Sequence, residues 1–142
     1  MKSFSGKYLV IYIGLLIIGY GEVWGADWDT YFVSAFGEFS YDTKHTTRAS
    51  GTIVRVWRRK VYTDKGVTDI VARLGKKFRG VYSNIEFAEI NCKDRMSRSL
   101  SLTFYSADGA VIESWAFSEV TAMWDHIIPD TQRDALFRKV CK

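Results

Sequence analysis

The sequence predicts an α+β fold, an antiparallel sheet of about six strands with helices packed against it and a C-terminal helix tied to the sheet by a disulfide. Three observations carry that expectation. Six segments rich in β-branched and aromatic residues are joined mainly by short turn-forming stretches. Only two segments, Val67 to Phe78 and the stretch after Pro129, change to helical spacing. The two cysteines fall at the end of a strand and in the terminal helix.

Trp28 to Ser34 and Phe39 to Asp42 read as an opening strand pair, closed by the turn-rich stretch Thr43 to Gly51. The longest strand candidate follows, TIVRVWRRKVYT from Thr52 to Thr63. Its two faces both carry apolar residues, which predicts a central position. Ile53, Trp57 and Val61 share one face with Arg55 and Arg59; Val54, Val56 and Tyr62 share the other with Arg58 and Lys60. After Asp64, Lys65 and Gly66, the spacing of Val67, Ile70, Val71, Leu74 and Phe78 predicts a helix, weakened at Gly75 and stopped at Gly80 behind Lys76, Lys77 and Arg79. Tyr82 to Cys92 and Arg95 to Ser106 then form a strand pair around Lys93 and Asp94. In the first of these the apolar phase shifts from Ile85 and Phe87 to Ala88 and Ile90, for which a bulge near Phe87 would account. In the second, Met96, Leu100, Leu102 and Phe104 alternate with Ser97, Ser99, Ser101 and Thr103, one apolar face and one hydroxyl face. Asp108-Gly109 supplies a tight hairpin turn into Val111 to Phe117. Thr131 and Asp134, three apart after Pro129, cap a terminal helix through Val140 and Cys141.

Composition fits a single domain. The 142 residues are 47% hydrophobic and 15% aromatic, which excludes a disordered polymer, and 11 glycines without a period exclude a collagen-like or solenoid array. Lys2 and Lys7 precede an apolar run, Tyr8 to Tyr20, too short to cross a bilayer as a helix. With Val23 and Gly25 at the small-residue positions, the expected organisation is a signal peptide over 1–25 and one domain over 26–142, with no membrane span after cleavage. Removing Met1 to Gly25 takes Lys2, Lys7 and Glu22 with it, leaving 18 basic against 15 acidic side chains, a net +3. So mild an excess favours anionic partners without demanding nucleic acid, which an exported protein rarely meets. An even pair of cysteines in an oxidising compartment predicts a Cys92–Cys141 disulfide, whereas their spacing suits neither a CxxC redox centre nor a metal site.

No nucleophile elbow, HExxH, P-loop or dinucleotide fingerprint occurs, so an enzyme is not expected and no cofactor or metal is implied. His45 reads as a loop residue and His126 as a packing residue. Glu86 and Glu89 fall on opposite faces of a strand unless the suspected bulge intervenes, which does not support a glycosidase-like carboxylate pair. Charge is densest at Arg55, Arg58, Arg59 and Lys60, and at Lys76, Lys77 and Arg79. These form either an anion-binding surface or a solvated face with salt bridges to Asp64, Asp69 or Glu86. Alternation allows only one pair of the strand, Arg55 with Arg59 or Arg58 with Lys60, to share a binding face. The aromatics Trp28, Tyr31, Phe32, Phe36, Phe39 and Tyr41 read as core and sheet packing. A small-molecule site would need a closed apolar pocket with converging polar groups, of which the alternating pattern gives no sign.

Several segments together resemble the surface-adhesin protein E family of bacterial exported domains. They include Trp28, Asp42-Thr43-Lys44, Gly51 with Ile53-Val54-Arg55-Val56-Trp57, Lys60 and Tyr62, and Leu74-Gly75-Lys76-Lys77-Phe78. Further on come Glu89-Ile90-Asn91-Cys92-Lys93, Leu100 to Tyr105, Asp108-Gly109, Ile127-Ile128-Pro129, and Ala135-Leu136-Phe137 with Val140-Cys141-Lys142. The resemblance implies the same sheet-and-helix fold and, for the namesake adhesin, attachment to host matrix and serum proteins as a surface-exposed homodimer. Arg55, Lys60 and Lys93 stand at matching basic positions. The namesake is lipid-anchored, whereas the signal region here has no cysteine, so a periplasmic or secreted protein is expected. The function expected is an exported non-enzymatic binding domain contacting a protein or polyanion of the envelope or extracellular surroundings. The alternative is a structural, envelope-associated module whose partner is a second copy.

Overall fold

The computed structural model describes residues 25–142, so the expected signal segment lies almost wholly outside the described residues. Six strands make one antiparallel sheet in the order β1 (Trp28–Ser34), β2 (Gly37–Asp42), β4 (Ile53–Tyr62), β5 (Val81–Asn91), β6 (Met96–Ser106) and β7 (Val111–Ala116). Two short strands join it: β3 (Thr47–Arg48) on β4 and β8 (Asp125–His126) on β6. The α+β architecture is the one the sequence predicts, with β4 in the interior of the sheet.

The even-numbered residues of β4 face the helices. Val54 and Val56 are buried there, and Val56, Ala88 and Ile90 form one core with Ile127 and Leu136. A second core joins Ile70 and Phe78 to Val81 and Phe104. Burying such large apolar side chains stabilises by roughly 1.5–3 kcal/mol each, so both cores hold helices to this one face. Helix α2 (Gln132–Val140) starts where the Thr131 hydroxyl accepts from the Asp134 backbone N–H, and the Cys92–Cys141 disulfide ties its end to the end of β5. Arg95, whose backbone is left-handed at φ +52°, reaches from the β5–β6 turn to bond the Asp134 carboxylate at 2.8 Å and to cover the Phe137 ring. A cation there satisfies both a buried acid and an aromatic face.

Helix α1 (Asp64–Leu74) begins earlier and ends sooner than its apolar spacing suggests. Thr63 caps it, its hydroxyl accepting from the Gly66 N–H at 3.1 Å while donating to the Ala35 carbonyl at 2.5 Å. Gly66 is required by close approach, since a Cβ there would overlap the Phe36 carbonyl oxygen. At Gly75 the backbone turns to φ +114°, a conformation that disfavours side chains, and the chain continues as a 3₁₀ turn over Lys76–Gly80 that buries Phe78. The expected continuous helix through Phe78 is therefore two pieces.

Strand β6 also departs from expectation. Its register with β5 shifts between Phe87 and Ala88, and the inserted residue is Leu100 of β6, while β4 and β5 pair without interruption. The strict alternation of one apolar and one hydroxyl face thus breaks at Leu100. Leu102 and Phe104 pair with the helix-facing residues Glu86 and Asn84, but Met96 and Arg98 pair with Asn91 and Glu89 on the other side. In β5 the change of apolar phase has a different cause, because Ile85 and Phe87 pack on one face and Ala88 and Ile90 on the other.

Candidate binding surface

The helix-free face of the sheet is built from the odd-numbered residues of β4. Trp57 lies opposite Phe87 on β5, and the rings stack with centroids 4.5 Å apart. Trp57 keeps 37% of its surface exposed. On one side of this pair, the Arg59 guanidinium sits 4.7 Å from the Trp28 ring. On the other, Glu89 is buried between two arginines, accepting from Arg55 Nε at 2.9 Å and from Arg98 Nε at 2.8 Å. Burial opposes the charge of Glu89, but the hydrogen bonds from Arg55 and Arg98 outweigh it and hold the carboxyl below its ordinary range. The segment after β7 closes this end: Arg55 also bonds the Glu119 carboxylate at 2.9 Å, Arg98 bonds the Glu119 carbonyl at 2.7 Å, and the Arg98 guanidinium covers Trp124 at 4.5 Å.

A row of aromatic rings and guanidinium groups therefore crosses the face from Trp28 through Trp57 to Trp124. Arg59 has no ion pair among the described residues, and its Nε is buried without a hydrogen-bond partner. Flat rings beside unpaired guanidinium can take planar or anionic groups by stacking and charge-assisted hydrogen bonds.

The eight basic residues singled out in the sequence do not form one surface. Arg55 and Arg59 share the helix-free face. Arg58 and Lys60 point the other way, where Arg58 donates to Glu86 at 2.8 Å, to Gln132 at 2.5 Å and to Tyr31 at 3.3 Å. Arg133 donates to the second oxygen of the same carboxylate at 2.9 Å. Burial opposes the charge of Glu86, and the two guanidinium groups outweigh it, so its pKa also lies below the ordinary value. Lys77 pairs with Glu113 of β7, Lys76 and Arg79 are exposed on the 3₁₀ turn, and Lys93 is exposed in the β5–β6 turn. Glu86 and Glu89 do stand on opposite faces. His45 is a loop residue whose Nδ1 meets the Asp42 carboxylate at 2.5 Å.

Arg98 and Trp124 belong to this surface, and the sequence does not place either of them on it. Arg98 would have stood out had the Leu100 insertion been placed, since that insertion moves it from the apolar phase of β6 to the side of Glu89. Trp124 lies beyond any periodic segment. Among the described residues no helix is long and apolar enough to cross a membrane, and no group of three metal-ligating side chains converges.

Structures of protein E from Haemophilus influenzae are similar to this chain at 13–14% identity: a second crystal form has a TM-score of 0.47 and covers 78% of this chain and 91% of its own. A protein E structure from a non-typeable strain has a TM-score of 0.46, covering 82% of this chain and 79% of its own. No curated protein sequence matches the chain. The family model for surface-adhesin protein E matches residues 28–142, from the first strand through the terminal helix with both cysteines. The chain belongs to the surface-adhesin protein E family.

Proposed function

We propose that the chain is an exported, non-enzymatic binding domain that holds a protein or anionic macromolecule of the envelope or extracellular surroundings against its helix-free sheet face. The mature domain runs from Ala26 after removal of Met1 to Gly25, and is periplasmic or secreted. One observation supports this reading above the others: Arg59, without an ion pair among the described residues and stacked on Trp28, adjoins the exposed Trp57, itself stacked on Phe87, on a face that carries no helix. Aromatic and arginine anchors of this kind dominate the energetics of protein interfaces, and guanidinium groups suit anions through charge-assisted hydrogen bonds.

Heparin serves as the polyanion probe. The mature protein is retained, and elution moves to lower salt in Arg59→Glu and further in Arg55→Glu with Arg59→Glu, since exposed charges are screened within about 8 Å at physiological ionic strength. Lys76→Glu with Arg79→Glu, remote from the face, changes retention less. Folded double variants that elute with the parent contradict the assignment of this face. Intact-mass measurement on exported material checks the Ala26 start; a chain retaining Met1 contradicts it.

Self-association is the second reading, favoured by the exposed apolar residues Val111, Phe117, Val120 and Met123 along and after β7, the last strand in the sheet order. Sedimentation of the mature protein separates the two: a dimer dispersed by Val120→Glu supports a self-associating module.

A further inference from the structure

On the helix side of the sheet a cleft of about 320 Å³ opens between α1, β4, β5 and the start of α2. Its volume lies at the low end of the roughly 300–1,000 Å³ typical of small-molecule sites. Phe39, Ile70 and Phe104, all buried, supply apolar wall, and Leu74 forms a half-exposed rim. Polar groups converge on it from three elements: Lys60 and Tyr62 of β4, Arg73 of α1 and Asn84 of β5.

The charge of this region does not balance. Glu86 is a single carboxylate shared by two guanidinium groups, Arg58 and Arg133. Asp69, a further acid whose charge reaches Lys60, is engaged by Arg73 at 2.9 Å. Lys60 has no ion pair among the described residues, and its ammonium rests on aromatic faces, 4.4 Å from the Tyr62 ring and 5.3 Å from the Phe39 ring. Burial, with Arg73 and Arg58 nearby, lowers its pKa from the ordinary value. The Tyr62 hydroxyl accepts from Asn84 Nδ2 at 2.7 Å, which leaves its own proton to donate. A half-buried cation without a counter-ion is costly, and an anion entering the cleft would remove that cost.

We propose that this cleft binds a small carboxylate carrying an apolar body. The carboxylate meets the Lys60 ammonium and the Tyr62 hydroxyl, and the apolar body lies along Ile70, Leu74 and Phe104. This site is on the opposite side of the sheet from the proposed partner face and does not rest on that reading. It also revises the expectation from sequence that no pocket with converging polar groups would form.

Calorimetric titration of the mature, disulfide-bonded protein with decanoate tests the proposal, with decanol and decyltrimethylammonium as probes of the same tail without the anion. Decanoate binds saturably with one site per chain, and the other two do not. Lys60→Gln weakens it at least tenfold, as does Leu74→Glu, which places a repelling carboxylate at the exposed rim where the fold tolerates it. Trp57→Ser, on the other face, leaves decanoate affinity unchanged while weakening heparin retention, so the two sites fail separately. Decanoate binding no tighter than decanol, folded Lys60 and Leu74 variants that bind like the parent, or loss of binding in Trp57→Ser would each overturn the assignment.

Discussion

Replacing Glu86 by Gln removes the one counter-charge, among the described residues, that pairs with both of two largely buried arginines, Arg58 and Arg133, while keeping the side chain's shape. In the folded protein each Glu86 oxygen accepts one arginine, Arg58 at 2.8 Å and Arg133 at 2.9 Å, and the residue is 5% exposed. Breaking a buried pair by removing one partner costs about 3–5 kcal/mol, because the remaining charge stays buried without compensation. That is a large share of the roughly 5–15 kcal/mol that stabilises a domain. With a urea slope of about 2 kcal/mol/M, the midpoint falls by roughly 1.5–2.5 M at unchanged slope. Arg133→Met is the contrasting change. Burial and the Arg58 charge both act against the Arg133 guanidinium, and its removal leaves Glu86 matched one to one with Arg58. Its cost is accordingly smaller, about 1–3 kcal/mol for the buried Glu86 oxygen left without its donor. Urea melts followed by far-ultraviolet circular dichroism measure both. An Arg133→Met variant as unstable as Glu86→Gln, or a Glu86→Gln midpoint equal to the parent's, would refute the claim that this cluster carries surplus positive charge.

Two further outcomes concern stability. Cys92→Ser opens a bridge spanning 49 residues, which in the chain-entropy model is worth about 4 kcal/mol, so the urea midpoint drops and no longer responds to reductant; a midpoint equal to the parent's contradicts this. Acid also destabilises the fold in a defined window. The carboxyls of Glu86 and Glu89 lie below their ordinary values because arginines outweigh burial, that of Asp42 because hydrogen bonds from the Asp27 and Lys44 N–H groups and from His45 outweigh burial, and that of Asp134 through the Asp130 N–H and Arg95. Folded values below unfolded ones mean that the unfolded chain takes up protons first. Their contribution is complete above about pH 4.5 and is lost as pH falls through the folded values. Urea midpoints flat from pH 8 to 5 and falling steeply below 4 match this; loss beginning near pH 6 does not.

Local signals carried much of the architecture into view. TIVRVWRRKVYT is an interior strand because both its faces are occupied, Asp108-Gly109 turns with Gly109 at φ +85°, and Thr131 caps α2 as its spacing from Asp134 implies. Features set by long-range packing were not legible. The strands β3 and β8 have two residues each and no period to read. The end of α1 depends on Phe78 finding its pocket past Gly75, and the Leu100 insertion on how β6 meets β5. Nor could alternation say which face of β4 receives the helices, since both carry apolar and basic residues. The deciding contacts, Arg58 with Gln132 and Arg133 with Glu86, join positions 74 and 47 residues apart. Folding thus divides the basic residues between a buried cluster and an open face, although they are contiguous in the chain.

Tryptophan indole signals offer the most direct test of the binding face. The described residues hold four tryptophans: Trp28, Trp57 and Trp124 on the helix-free face, and Trp115 on the helix side against Phe78 and Phe104. Trp57 and Trp115 are almost equally exposed, at 37% and 36%, so accessibility alone does not bias the comparison. In ¹H–¹⁵N spectra of the labelled protein titrated with a heparin oligosaccharide, the account predicts progressive shifts of the Trp28 and Trp57 indole signals, reversed by salt, with Trp115 unmoved. Movement of Trp115 with Trp28 and Trp57 stationary would contradict it.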